Sequence, residues 1–124
     1  MSDERILALL DQIERACQFA SSDVEGIDLS KFLEDRRTQQ AVAMNLVIIG
    51  EAVSRLEAQH ADFVARFPET QWQKIRGMRS RIAHGYFELD LEIVFDTALK
   101  ALPELTQQLP AMRAAASSSP RDKI

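Results

Sequence analysis

Through most of this 124-residue chain the apolar residues recur at steps of three and four, and nowhere do they alternate with polar ones as a strand requires. Ile6, Leu9, Leu10, Ile13, Cys17 and Ala20 draw the first such stripe, which predicts a helix over about residues 3–20. Only four glycines and four prolines interrupt a composition rich in Ala, Leu, Glu, Gln and Arg, all good helix formers. The length suits one domain. The expected fold is therefore all-α, a bundle of four or five helices.

Ser21–Asp28, with Gly26 inside it, reads as a loop. A long helical region follows from Ser30 to Gln59, led by Phe32 and Leu33 and carried on by Ala41, Met44, Ile48, Ala52 and Leu56. Its length favours a kink or break between Asp35 and Thr38. Val47-Ile48-Ile49-Gly50 is apolar on more than one side, and such a helix needs cover on two faces, from its own neighbours or from a second subunit. A short helix over Ala61–Phe67 stops at Pro68. Thr70 with Gln73 has the spacing of a capping box, opening a helix that points Trp72, Ile75, Met78 and Ile82 inward. That helix should end near His84, with Gly85 just beyond it as a natural terminator. The last helix starts at Asp90 and buries Val94, Ala98, Leu102, Leu105 and Leu109, while Pro103 bends or restarts it. Residues 1–112 would form the helical domain and 113–124 a flexible tail.

Several function classes are disfavoured by composition. No apolar run approaches bilayer length, and the first residues lack a secretion signal, so a cytoplasmic protein without membrane contact is expected. A single cysteine, Cys17, forms no internal disulfide, and on an apolar stripe it reads as a buried thiol. Two histidines make a zinc cage improbable, and no metal or cofactor is expected. Fifteen basic against nineteen acidic residues leave a formal net charge of −4, unlike a protein that binds duplex DNA by broad phosphate neutralisation. A local basic site is still allowed.

Such a site exists. Lys74, Arg76, Arg79 and Arg81 lie within eight residues, and His84 and Tyr86, the only tyrosine, follow at once. A solvated basic helix face would look the same by charge alone. However, like charges crowded on two helical turns repel, unless an anion or an acidic partner is near. His84 adds an imidazole, a group suited to proton exchange near neutral pH, in the last turn, where the helix dipole favours a cation. Arg79 and His84 are about 140° apart around a helix and ~7.5 Å apart along it. They can flank one ligand only at a groove or where two copies of the helix meet. His60 sits at a helix–loop junction and Trp72 on an inner face, and both read as structural.

At these residues the chain resembles the HepT-like toxins of the HEPN ribonuclease superfamily. Arg79-x4-His84-x-Tyr86 is similar to the Arg-x4-His-x-Tyr signature of that family. Phe67-Pro68-Glu69, Gly77-Met78-Arg79, His84-Gly85-Tyr86-Phe87, Asp90-Leu91-Glu92-Ile93-Val94 and Leu102-Pro103-Glu104-Leu105 follow in family order. Upstream, Gln40-Ala41-Val42 and Ile48-Ile49-Gly50-Glu51-Ala52 match the long second helix. The likeness covers about residues 3–109. Arg-x4-His alone is a weak signal, but the ordered segments together are specific.

The resemblance implies a HEPN fold that dimerises across the motif helices and cleaves RNA, tRNA or mRNA, without a metal. His84 and Arg79 would be catalytic: His84 would move a proton and Arg79 would grip the phosphate as charge develops on it. Glu51 is a family-like acidic residue that could pair with a motif arginine inside the dimer, and a plain surface glutamate is the alternative. Lys74, Arg76 and Arg81 could hold flanking phosphates. A toxin role in a type VII-like toxin–antitoxin system would follow. A small nucleotidyltransferase antitoxin would silence the enzyme by AMPylation of Tyr86, adding charge and bulk beside His84. Without that chemistry, Tyr86 would be an aromatic packed with Phe87 beneath the helix end. The chain departs from the pattern at Ser80, where the family commonly has Asn or Asp, which shortens that side chain's reach. The alternative function is a non-catalytic HEPN subunit that docks a nucleotidyltransferase and presents substrate to it.

Overall fold

A computed structural model describes residues 3–117, the side chain of Phe87 excepted. It is an all-α bundle, and no strand occurs among the described residues. Asp3 opens α1 (Glu4–Val24) by accepting from the N–H groups of Arg5 and Ile6 at 3.1 and 3.2 Å. The helix continues four residues past the expected Ala20, and Gly26, at φ +77°, makes the turn that follows. Asp28 then caps α2 (Leu29–Glu34).

The expected break falls at Asp35, which caps α3 (Arg36–Gln59). Its carboxylate accepts from the Thr38 N–H at 3.1 Å and from the Thr38 hydroxyl at 2.6 Å. Those bonds, the hydroxyl's foremost, hold the Asp35 carboxyl below the ordinary aspartate value. Gln39 donates its side-chain amide to the Phe32 carbonyl at 2.8 Å, which fixes the corner between α2 and α3. His60 separates α3 from α4 (Ala61–Ala65), its ring Nδ1 4.0 Å from an Asp3 carboxylate oxygen, consistent with a structural role.

α5 spans Trp72–Gly85, a 3₁₀ turn follows at Tyr86–Glu88, and α6 spans Leu91–Asp96 with Asp90 as its cap. α6 passes without a break through a π segment (Thr97–Ala101) into α7 (Leu102–Ser117). Pro103 has no N–H to return to the carbonyl four residues back, and the widened turn stands just before it.

The core lies where α1 meets α3 and α7. Leu10, Ile13, Cys17, Phe32, Val53, Leu56, Leu109 and Met112 are fully buried there. Phe32 tilts against Phe95 of α6 with ring centres 5.0 Å apart. Burial pushes the Cys17 thiol up to about 11, so it is an inert core residue. Trp72 is also core, its indole N–H donating to the Phe67 carbonyl at 2.9 Å.

Beyond the longer α1, which takes Ser21–Val24 from the expected loop, three sequence expectations need correction. Thr70 does not cap α5: its hydroxyl donates to Gln108 Oε1 of α7 at 2.7 Å, and Gln71 precedes the helix without a side-chain cap bond. Gly85 is no left-handed terminator, because its φ is −151° and the chain runs directly into the 3₁₀ turn. The segment expected to fray from Arg113 is helical through Ser117. Met112 and Ala116 extend the buried stripe, and Arg113 binds Asp11 at 2.8 Å and Glu14 at 2.9 Å. The Asp3 N–H also donates to the Ala116 carbonyl at 2.9 Å, joining the two ends of the described chain. The rest of that expected tail lies outside the described residues.

Candidate active site on the cationic helix

α5 carries the basic run and leans mainly on α3. The approach is close because α3 has glycine at its crossing point. A Cβ on Gly50 would stand 2.6 Å from Arg79 Cβ and 3.3 Å from the Ile75 carbonyl oxygen. The helices run antiparallel, so carboxylates climbing α3 meet cations descending α5. Glu51 Oε2 accepts from Arg79 Nε at 2.8 Å, and its other oxygen stands 3.5 Å from Arg55 Nε. Glu57 Oε1 accepts from Arg76 Nη1 at 2.9 Å. The Glu51–Arg79 pair thus forms inside a single chain.

Two of the four clustered cations are therefore matched by α3. Lys74 and Arg81, together with Ser80 and His84, are exposed on other sides of α5. A cleft of about 380 Å³ opens between the end of α5, the 3₁₀ turn and the start of α6, and Ser80, Arg81, His84, Glu88 and Asp90 line it. Arg79 is not among its lining residues, because it points to α3 and not toward His84. Tyr86 is half-buried at the start of the 3₁₀ turn and rests on the core, two residues beyond His84. The expected contact between Tyr86 and Phe87 involves a side chain outside the described set.

Glu57 escaped the reading of the sequence. Its signal was an acidic residue six positions after Glu51 on a helix destined to oppose a basic one, and only the antiparallel register reveals the pairing. Gly50, within an apolar helix, was the available sign of a close crossing. Among the described residues no three His, Cys, Asp or Glu side chains gather as a metal-binding group, and no helix is long and apolar enough to cross a membrane.

The bundle thus presents a cleft in which His84 and Arg81 face Glu88 and Asp90, at the end of a helix that carries three further cations. The Ribonuclease HepT-like family matches residues 9–112, and the chain belongs to that family. It is 35% identical over 100 residues to the "Putative RNase TTE0752" of Caldanaerobacter subterraneus subsp. tengcongensis, covering 81% of this chain and 87% of that protein. It is 31% identical over 104 residues to the "Probable ribonuclease HepT" of Thermococcus cleftensis, covering 84% and 92%. No solved structure matches the chain significantly.

Proposed function

We propose that this chain is a metal-independent endoribonuclease that works as a homodimer in the cytoplasm and serves as the toxin of a toxin–antitoxin pair. The observation that carries the reading is the division of the motif: Arg79 faces α3 while His84 lines a cleft on another side of the same helix. One chain keeps the two groups apart. Two copies meeting across α5 and α3 can set Arg79 of one beside His84 of the other. The surface for such a meeting exists, since Met44 and Ile48 are exposed at 61% and 39%. With Glu51 and Arg55 they lie within a strip about 60° wide on α3.

In the composite site the ribose 2′-oxygen attacks the neighbouring phosphorus. The bond from phosphorus to the 5′-oxygen breaks, leaving a 2′,3′-cyclic phosphate and a 5′-hydroxyl. His84 takes the 2′-hydroxyl proton, and solvent water gives a proton to the departing 5′-oxygen. Arg79 stabilises the added charge on the phosphoryl oxygens, with Glu51 holding its guanidinium in register. Lys74, Arg76 and Arg81 bind flanking phosphates, so RNA affinity falls steeply as salt rises. A nucleotidyltransferase partner silences the enzyme by transferring AMP from ATP to the Tyr86 hydroxyl, with release of pyrophosphate. The added phosphate repels RNA two residues along the chain from His84.

The test has two parts. Purified protein should cut RNA in the presence of a chelator, and His84→Ala or Arg79→Ala should lower the rate by about 10²-fold or more with the helical spectrum intact. The intact mass should rise by one or more AMP units at Tyr86 when the partner enzyme is co-expressed, with recovery of growth. Full cleavage by both variants would refute the catalytic assignment. Healthy growth, no cleavage and tight partner binding would instead establish the non-catalytic, substrate-presenting subunit, with Ser80 as the first residue to restore to Asn.

A further inference from the structure

A second cavity, of about 280 Å³, lies behind α5, against the π segment and α7. It is smaller than the pockets of ~300 Å³ and above that take drug-sized ligands, and so suits a single ring system. Ile75, Met78 and Leu105 give it apolar walls. Its most buried polar group is Thr70, at 4% exposure, whose hydroxyl donates to Gln108 Oε1 at 2.7 Å. A hydroxyl used as a donor keeps its acceptor lone pairs, and a carboxamide whose oxygen accepts keeps its two N–H donors. An acceptor and a donor thus stand side by side in the wall of the cavity.

The charges of the lining cancel, because Lys74 and Arg81 are offset by Glu69 and Glu104. A phosphate would gain little inside, whereas a neutral heterocycle with polar edges fits. Arg81 also lines the His84 cleft, so this one guanidinium borders both spaces. The π segment forms part of the wall through Thr97 and Ala101, and widened turns of this kind recur at functional sites.

We propose that this cavity is a nucleobase subsite: it takes the base of one RNA nucleotide flanking the cut while Arg81 holds that nucleotide's phosphate at the border of the His84 cleft. The inference rests on the ribonuclease reading above and adds the source of its sequence preference. Thr70 and Gln108 read the base edge, while Ile75 and Met78 cover its face. RNA is read in this way at single-stranded positions, where an unstacked base enters a pocket and bonds by its edge.

The experiment compares cleavage of a randomised RNA by the wild type, Ala101→Trp and Gln108→Leu, with folding checked by circular dichroism. Ala101 is exposed, so a tryptophan there fills the slot from outside. The wild type should favour one base at a fixed position beside the cut by about tenfold in kcat/KM, and each variant should reduce that ratio to about twofold. A flat wild-type profile, or a preference that both folded variants retain, overturns the subsite. If the wild type cuts no RNA, the ribonuclease reading falls and the cavity is judged separately, by amide NMR of the wild type with a nucleoside 3′-monophosphate. Shifts at Thr70, Ala101 and Gln108 that inorganic phosphate does not reproduce support base binding. Their absence, or equal shifts with phosphate alone, overturns it.

Discussion

α1 and α5 are both amphipathic helices, yet the first buries eight of its 21 residues and the second only two of its 14, Trp72 and Ile82. α1 is covered by α3 and α7, and its first half is tied to α7 through Asp3 with Ala116 and through Asp11 and Glu14 with Arg113. α5 leans on α3 through the Gly50 crossing and two half-exposed ion pairs, each worth about 1 kcal/mol or less. Behind it lie two cavities where a tighter bundle would have side chains. The contrast shows a division of labour. One half of the molecule supplies stability through burial, and the other leaves cations, an imidazole and open volume exposed to solvent.

The largest effect should come from the buried half. Phe32→Ala removes a fully buried ring that rests on Phe95 and should cost about 3–5 kcal/mol in urea denaturation. Lys74→Ala, on the exposed side of α5, should stay within about 0.5 kcal/mol. Equal losses from the two changes would break the comparison.

Gly50→Ala probes the joint between the halves and should rank second. Alanine favours the helix by up to ~1 kcal/mol, but its methyl would stand 2.6 Å from Arg79 Cβ, so one helix must shift. A net loss of about 1–2 kcal/mol is expected, accompanied by a fall in RNA cleavage as Arg79 leaves its register with Glu51. Unchanged stability together with unchanged cleavage would mean that α5 is not positioned by this crossing.

Much of this division is legible in the sequence, and several of its failures share one physical source. The stripe through Ile6, Leu10, Ile13 and Cys17, the break at Asp35 and the cap at Asp90 depend on neighbours along the chain, and all occur. So does the concentration of cations on α5. The misreadings occur where a partner far along the chain decides the outcome. Thr70 has the local pattern of a cap but bonds Gln108, 38 residues away. The tail expected from Arg113 is helical through Ser117, where Ala116 meets Asp3 and Arg113 meets Asp11 and Glu14. Arg76 meets Glu57, 19 residues back along the chain, a pairing that local sequence does not announce. The π segment was hidden for a related reason, since Pro103 announces a disturbance without saying whether the helix bends, stops or widens.

A smaller effect than that of Gly50→Ala belongs to Asp35, and it sharpens the comparison by its pH dependence. The Thr38 hydroxyl and N–H hold this carboxyl below the ordinary aspartate value of 3.8 in the folded protein. A lowered folded value means that the ionised cap contributes stability above the unfolded value, and that this contribution disappears as pH falls through the folded one. Asp35→Ala should therefore lower Tm by less than Gly50→Ala does, by a constant amount above about pH 5. The gap from the wild type should then close in acid. A gap that widened in acid would show that Asp35 acts through something other than its charged cap. Because α3 is shared by the core and by α5, the same substitution should loosen both halves together, and unequal loss between amides of α1 and α5 in hydrogen exchange would show where α3 transmits strain.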